Sequence, residues 1–460
     1  MRCFIWIQNF CLTFVLVLSL NCSIFCEVLT FNNYLDNVIK DNPELKSIQL
    51  DINATLDKLS KIKIPYLCFL NMELKYDYNS DNILTNYLKN FNCDISINKQ
   101  FISGTKFSVI FGCLLNQNRY NCNNIIPLLQ LQQSLLKEMK NKFTTTKILL
   151  DKTNAYSNLY FLEYKKQNVL LKAKFAYWDL SYFTTAIDFI KTSLNRSIKI
   201  LELNRKKYNM NLIDKSDLLQ SEIAVKMKEL KLKLACDDEN TAIVTLNTFL
   251  NTKYNLQFKY NIEKIESETE KIKKNDESFK KENMRFDVLA VLEHAKSTLY
   301  EKICLQKDIC PDLILDGQFT VKQNNNSKSR PFYSINLRYI YPIDFKFIKT
   351  VNNGYELAQI SAEKYAESMI IQETNDWFKL MEDLHNTKLK LDIAIEIEKK
   401  QYQKYEEDKK LLERGRCTTY QILQSEQELS DASLNILKYT LEFIKIREYI
   451  KTFYGPIVVL

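Results

Sequence analysis

Residues that commonly carry out catalysis are scarce in this chain of 460 residues. It has two histidines, His294 and His385, which lie 91 residues apart in segments that are predicted to be helical. The sequence contains no HExxH motif, paired CxxC motif or glycine-rich phosphate loop. Most Asp and Glu residues alternate with Lys, as on solvated helix faces. We therefore expect no enzyme activity, no catalytic residues, no cofactor and no metal site.

The twelve cysteines are the other reactive group, and eight of them follow residue 26. In an exported chain the closest pairs, Cys113 with Cys122 and Cys304 with Cys310, could form disulfides. The alternative is that AT-rich codon usage, which also raises Lys, Asn, Ile and Tyr, has added cysteines that do not pair. The sequence leaves both interpretations open.

The N-terminal 26 residues contain one charge, at Arg2, followed by a long, mainly apolar run. Such a run is typical of a signal peptide or of a membrane anchor of ~20 residues. The short basic end favours a signal peptide, residues 1–26, cleaved after Cys26. No sequence here matches a lipobox well, so we do not expect lipidation. The formal charge of +8 is mild and mixed with acids, so nucleic acid is not an expected partner.

The rest of the chain is poor in turn-forming residues, with six Gly and seven Pro. Average proteins contain roughly 7% and 5% of these residues, so long elements are expected. Residues 137–207 contain neither Gly nor Pro, and as one helix they would extend about 100 Å. The sequence YNMNLIDKS then precedes a second helix. Its apolar stripe consists of Leu219, Ile223, Met227, Leu230 and Leu234.

The second half of the chain repeats the first. The sequence Leu-Gln-Ser-Glu begins at Leu219 and again, 204 residues later, at Leu423. We divide the mature chain into a first repeat at 27–253 and a second at 285–455. Each repeat is predicted to contain a helix, strands and a long helical hairpin. The Lys- and Glu-rich connector at 254–284 need not be ordered.

Strand-like alternation occurs at matching places in both repeats, before each long helix. The first zone, residues 66–134, is longer than two strands require, so part of it is either an external loop or further strand. A few strands cannot close a barrel within one chain, and open sheet edges are not tolerated in lipid. Several chains that pool their strands can close one.

These motifs resemble the TolC family of outer-membrane channel proteins over residues 28–455. The opening sequence LTFNNYLDNVIKDNPEL resembles the family's first helix, AKFAYWDL resembles an aromatic motif on the first long helix, and YIYPIDF resembles its strand-ending proline. The two hairpin tips, YNMNLIDKSDLLQSE and LERGRCTTYQILQSEQELSDA, resemble the family's tip pattern.

The resemblance implies a mainly α-helical fold with a small β part. It implies a homotrimer in which each chain contributes four strands to a twelve-stranded barrel in outer-membrane lipid. The long helices would form a periplasmic α-helical barrel. Such a channel is the passive exit duct of a tripartite efflux pump or type I secretion system. Its partners would be a periplasmic adaptor (membrane fusion) protein and an inner-membrane transporter.

The resemblance also assigns a gate to the hairpin tips, where family members carry acidic rings. Asp217 matches a gate Asp, whereas Gln421 and Gln424 stand where the second tip would carry acids. The Tyr and Arg that latch the gate would fall at Leu412 and Cys417, so this latch is absent.

Other residues at the tips affect the backbone turn and the local electrostatic field. Gly415 matches the tip glycine, and Asn211 replaces it in the first tip, where Asn tolerates a left-handed backbone. Lys215, Arg414 and Arg416 lie nearby. They either face the pore and repel cations, or face outward toward the adaptor or solvent.

A different class of protein remains the alternative: a periplasmic coiled-coil adaptor that has no membrane barrel. Adaptors of this kind usually carry one helical hairpin within a Gly-rich domain, whereas this chain is predicted to have two hairpins. The sequence does not indicate the exported substrate.

Overall fold

The computed structural model describes residues 29–78, 89–116, 125–140, 142–252, 262–274, 279–281, 283–323 and 329–453. The expected signal peptide, Cys122 of the expected pair Cys113–Cys122 and part of the connector lie outside the described residues.

The first two helices of the described residues are α1 (Phe31–Asp41) and α2 (Pro43–Ser60). Asn42 separates them with an extended backbone, because the ring of Pro43 disfavours helical geometry at the preceding residue. The Asn42 side chain accepts a hydrogen bond from the Leu45 amide at 3.0 Å and so caps the start of α2. The Asn-Pro step therefore produces the break that the sequence predicts.

A short 3-10 helix at Lys61–Tyr66 leads into the first strands, β1 (Cys68–Tyr78), β2 (Lys89–Gln100), β3 (Lys106–Asn116) and β4 (Ile125–Ser134). The second half adds β5 (Asp312–Gln323) and β6 (Ser329–Ile340). Among the described residues these form one antiparallel sheet in the order β1-β2-β3-β4-β5-β6.

The expectation of four strands per chain is therefore wrong, since the described residues contain six. The described residues of the strand-like zone in the first half form four antiparallel strands, β1 to β4. Gly104, with φ of 75°, makes the left-handed turn between β2 and β3, and its amide donates to the Phe101 carbonyl at 2.9 Å.

The other major elements are the long helices. A π-helical turn at Leu135–Lys140 precedes α3 (Phe143–Asn209), and α4 (Lys215–Leu250) follows it. The connector contributes α5 (Glu266–Lys274), and the second half contains α6 (Phe286–Ile309), α7 (Phe345–Glu413) and α8 (Thr419–Ile450). The helices of 67 and 69 residues confirm the predicted pair of long helices. The chain is mainly α-helical with a small β part, as expected.

The structure divides into two compact units, and each takes segments from both halves of the chain. The first unit comprises Met1–Ile48, Lys166–Asn283 and Asn375–Leu460, and the second comprises Gln49–Lys165 and Met284–Thr374. The hairpin tips belong to the first unit, and the sheet belongs to the second.

An aromatic cluster attaches the opening helix within the first unit. The ring of Tyr177, in the AKFAYWDL sequence, lies 5.3 Å from the rings of both Phe31 and Tyr34. The Tyr34 hydroxyl donates to the Ala173 carbonyl at 3.1 Å, and both tyrosines are fully buried. The two buried tyrosine rings, with their hydroxyls hydrogen-bonded, therefore hold the opening helix against the first long helix.

The described part of the connector packs against other residues of the first unit. Ile262, Ile265 and Ile272 are buried, and Ser181 Oγ donates to the Glu263 carbonyl at 2.6 Å. In the sequence these apolar residues are surrounded by Lys and Glu, so the composition of the segment does not indicate that they are buried.

Cysteine pairing is absent where the structure describes both partners. Cys304 lies in α6 and Cys310 at its C-terminal cap, and both are free thiols. Six residues of helix separate two Cα atoms by about 9 Å, which is more than the roughly 7 Å that a disulfide spans.

Candidate functional site

The two hairpin tips have the same turn geometry. Asn211 has φ of 55° and Gly415 has φ of 73°, so both stand in the left-handed region. The next residue in each tip, Leu212 or Arg416, donates its amide to a carbonyl five residues earlier, at 2.9 and 2.8 Å respectively. This hydrogen-bond pattern is a Schellman motif, which terminates a helix and reverses the chain.

The helices that return from the tips also begin at equivalent residues. Asp214 and Thr418 precede α4 and α8 with nearly identical extended backbones, at ψ of 158° and 154°. Thr418 forms a capping box with Gln421: the Thr418 amide donates to Gln421 Oε1 at 3.0 Å, and the Gln421 amide donates to Thr418 Oγ1 at 3.2 Å. The glutamine at the expected gate position therefore caps α8.

Asp217 occupies the matching position in the first tip and is half-buried, whereas Gln424 is exposed. The Gln424 amide group donates to Glu428 Oε1 at 2.9 Å along the surface of α8. The three basic residues Lys215, Arg414 and Arg416 are all exposed. The described tip surface thus presents more positive than negative side chains at these expected positions.

Hydrogen bonds and packing connect the two hairpins just behind the tips. Lys207 Nζ donates to the Leu412 carbonyl at 2.6 Å, and Asn204 Nδ2 donates to Thr419 Oγ1 at 3.3 Å. An apolar cluster lies beside these bonds. Its buried members are Ile200, Tyr405, Leu412, Ile422 and Leu429.

The two positions where the family's latch residues would fall belong to this packing. Leu412 is buried in the cluster, and Cys417 packs against it. Burial raises the pKa of the Cys417 thiol, and the nearby Asp408 raises it further. Both side chains therefore stabilise the contact between the hairpins, and neither supplies the polar group of a latch.

The repeated Leu-Gln-Ser-Glu sequence places two glutamates in different surroundings. Glu222 lies on the surface and pairs with Arg205 at 3.2 Å. Glu426 is buried, and its carboxylate lies 3.0 Å from Lys228 Nζ and 3.4 Å from a guanidinium nitrogen of Arg196. Ser193 Oγ also donates to Glu426 Oε1, at 2.6 Å.

The Glu426 cluster holds an ion pair inside the helical hairpins. Burial lowers the pKa of Lys228, although the carboxylate of Glu426 acts in the opposite direction. Sequence reasoning missed this cluster, because Lys228 and Glu426 stand on different helices and resemble the solvated charges around them. Ser193 and Ser197 lie four residues apart on α3, and both donate to Glu426. Two serines at this spacing on one helix face were the signal of a polar contact in the sequence.

The six-stranded sheet has two chemically different faces. Cross-strand register places apolar side chains on one face. These are Leu70, Met72, Leu74, Ile95, Ile97, Phe107, Val109, Phe111, Leu129, Leu131, Leu315, Phe319, Tyr333, Ile335, Leu337 and Tyr339. The other face is mostly polar. It includes Asn71, Glu73, Asp94, Ser96, Asn98, Lys106, Ser108, Gln130, Gln132, Asp316, Gln318, Ser334, Asn336 and Arg338.

Large residues on the apolar face are exposed, with 68% of Leu70 and 78% of Ile335 accessible. A contiguous exposed apolar surface of this size marks a site that meets lipid or another protein. Across the described ranges, β1 pairs only with β2 and β6 only with β5, so the sheet is open at both edges.

Two further properties hold for the part of the chain that the structure describes. None of its α-helices combines the length and the apolar character that crossing a membrane would demand. It also contains no group of three or more His, Cys, Asp or Glu residues arranged to hold a metal ion.

Comparison with known proteins identifies the fold. No protein-family model and no curated protein sequence matches the chain. Among solved structures, the outer-membrane channel OprN is similar over 92% of this chain and 89% of its own, with a TM-score of 0.67 and 10% identity. The Campylobacter jejuni CmeC outer-membrane channel gives a TM-score of 0.66 and 14% identity over 92% of this chain and 85% of its own.

The open state of the Neisseria gonorrhoeae MtrE outer-membrane channel gives a TM-score of 0.66 and 10% identity, with 92% of this chain and 88% of that chain covered. The chain therefore has the fold of TolC-family outer-membrane channels. This confirms, at the level of the fold, the resemblance that the two hairpin tips and the aromatic motif predicted.

Proposed function

We propose that this chain, which has the fold of outer-membrane channels, forms a homotrimeric exit duct in the cell outer membrane, with a long periplasmic part. The duct is passive and serves a tripartite efflux pump or a type I secretion system. Its partners are a periplasmic adaptor protein and an inner-membrane transporter. The exposed apolar face of the sheet carries this proposal, because lipid is the partner that suits such a face when the opposite face is polar.

The open edges of the sheet support the trimer. Unpaired backbone groups are not tolerated in the hydrocarbon region of a membrane, so a sheet in lipid has to be closed. The described strands of one chain leave both edges open, and strands of further copies can satisfy them.

The helices supply a second surface for the same assembly. The apolar stripe of α4 is exposed on the single chain, with Ile223 60% and Met227 68% accessible. A shallow groove between α7 and α8, lined by Ile393, Ala394 and Tyr439, offers a matching apolar surface. We assign a second copy of the chain to this stripe, because closure of the sheet brings further copies to the same molecule.

The tips form the periplasmic entrance and its gate in this proposal. Asp217 is the acidic gate residue, and Gln421 and Gln424 leave the second tip uncharged. Lys215, Arg414 and Arg416 add positive charge around the entrance. The entrance is therefore less selective for cations than one lined by a ring of acidic residues.

Extraction and conductance measurements test the function. Washed outer membranes should retain the protein through high salt and carbonate and release it only in detergent, as a trimer. The purified trimer should then produce discrete, ohmic conductance steps in a planar bilayer. Release by a salt wash, without conductance, would instead favour the alternative, a periplasmic coiled-coil adaptor.

A further inference from the structure

We infer that three copies close a barrel of eighteen strands, in which β6 of each copy pairs with β1 of the next. This inference rests on the proposed function, since it concerns the wall of the same channel. It differs from the twelve-stranded barrel that the resemblance implies, because the hairpin β1–β2 adds two strands per copy.

The hairpin β1–β2 has the properties of a membrane wall. All eleven residues of β1 pair in register with β2, and β2 pairs in register with eleven residues of β3. The apolar residues Leu70, Met72, Ile95 and Ile97 continue the apolar face of the other four strands without a change of side. A hairpin that lay outside the wall would not need this continuity.

The two open edges are suited to each other. The six strands alternate in direction, so β6 of one copy meets β1 of the next in antiparallel orientation, like every other pair in the sheet. The strands have 12 and 11 residues, so they match in length. Leu337 and Tyr339 on β6 and Leu70 and Met72 on β1 lie on the same apolar face.

Closure with eighteen strands changes the bore. Barrel diameter grows roughly linearly with strand number, so the bore is about 1.5 times as wide as that of a twelve-stranded barrel. Barrels of 16–18 strands leave an aqueous channel. The polar side chains on the inner face, such as Asn71, Asp94 and Gln130, are in keeping with a water-filled bore.

Disulfide cross-linking in membranes tests the β6–β1 contact. Cys68, the first residue of β1, is an exposed thiol on the apolar face. It lies at the same end of the sheet as Ile340, the last residue of β6. Cysteine is introduced one position at a time from Asn336 to Ile340, and the membranes are oxidised. We expect covalent dimers and trimers from Leu337→Cys or Tyr339→Cys. We expect none from Asn336→Cys, Arg338→Cys or Ile340→Cys, which place the thiol on the opposite face.

Two controls define the background. The same variants with Cys68→Ser should give no cross-linked species. Leu131→Cys, on the apolar face of β4 in the centre of the sheet, should give none with Cys68 of a neighbouring copy. In trimers that conduct, failure of Cys68 to cross-link to β6 overturns the inference.

A twelve-stranded alternative makes an opposite prediction. If the wall began at β3, then Phe107→Cys combined with Tyr339→Cys, in the Cys68→Ser background, would cross-link neighbouring copies. That result overturns the inference and leaves the proposed channel intact. Absence of both a trimer and a conductance overturns the proposed function as well, so the two failures are distinguishable.

Discussion

Asn211 and Gly415 lie 204 residues apart and close the two helical hairpins with the same left-handed turn. The amides of Asn211 and Leu212 donate to carbonyls equivalent to those that accept from Gly415 and Arg416. The following helices start at the equivalent residues Lys215 and Thr419. The repetition in the sequence is therefore a repetition of local geometry. One tip achieves it with glycine, and the other with the residue that tolerates this backbone next best.

Backbone conformation predicts the effect of glycine substitutions. Gly415→Ala should lower the free energy of unfolding by about 1–2 kcal/mol, because an L-residue is strained in this region. No atom lies within 4 Å of the added Cβ, so contact does not contribute to the cost. Gly354→Ala, within α7 and equally unobstructed, should instead stabilise by up to about 1 kcal/mol. Denaturant unfolding followed by circular dichroism measures both, and equal effects would contradict this explanation.

The repeated glutamates predict an asymmetric response to the same substitution. Glu426→Gln leaves Lys228 buried with its main charge partner removed, so the free energy of unfolding should fall by about 3 kcal/mol or more. Glu222→Gln, at the matching position, removes a surface pair with Arg205 and should cost less than about 1 kcal/mol.

Denaturant unfolding of the two variants makes this comparison. Replacing both partners, as Lys228→Leu with Glu426→Leu, should recover most of the lost stability, since apolar residues of similar size can replace a buried ion pair. Equal losses from Glu222→Gln and Glu426→Gln would refute the assigned burial.

Acid should destabilise the first unit through Glu448. Burial alone would raise the pKa of the Glu448 carboxyl, but the ion pairs with Lys451 at 2.5 Å and Lys174 at 2.9 Å hold it below its ordinary value. Since the pKa is lower in the folded state, the stability contribution is present above the unfolded value of about 4.3. It disappears as pH falls through the folded pKa.

The variant Glu448→Gln tests this pH dependence. It should be less stable than the parent chain at pH 7, and the gap should narrow as the pH falls below about 4. Thermal unfolding at a series of pH values measures the gap. A gap that stays constant through the acidic range would assign the loss to packing.

The exposed stripe of α4 predicts a variant that folds and does not assemble. Met227→Lys puts a charge into the proposed contact between copies, where burying it without a partner is costly. We expect loss of the trimer in detergent with unchanged helical content. Lys233→Ala, on the same helix in a surface pair with Asp237, should remain trimeric. Size-exclusion chromatography with light scattering compares them, and a trimeric Met227→Lys variant would exclude α4 from the contact.

Tip charges predict ion selectivity. The combined variant Lys215→Gln, Arg414→Gln and Arg416→Gln should shift the reversal potential toward cations, and Asp217→Asn should shift it the other way. Millimolar divalent cations should block the parent channel only weakly. An unchanged reversal potential in the combined variant would show that the three bases face the outside of the entrance.

The sequence predicted the features that depend on local chemistry. The missing Gly and Pro between residues 137 and 207 predicted the long helix, and Asn42–Pro43 predicted the break between α1 and α2. The tip turns at Asn211 and Gly415 follow from local backbone preference. These features need only neighbouring residues, so pattern and propensity are sufficient to find them.

Features that depend on distant partners were missed. The alternation over residues 66–134 was visible, but it did not show whether the extra residues pair with the sheet or form a loop, because pairing joins separate segments. The burial of Glu426 likewise depends on Lys228 and Arg196 on other helices. Ile265 and Ile272 are buried in the described part of the connector, and a charge-rich composition does not reveal such contacts.

The most direct test of the account is the structure of the purified full-length protein in a lipid nanodisc, determined by electron cryomicroscopy. The account predicts three copies whose sheets join edge to edge, with the apolar face toward lipid and the polar face around an open bore. Copies whose sheets do not meet, or a membrane wall built without these strands, would contradict it.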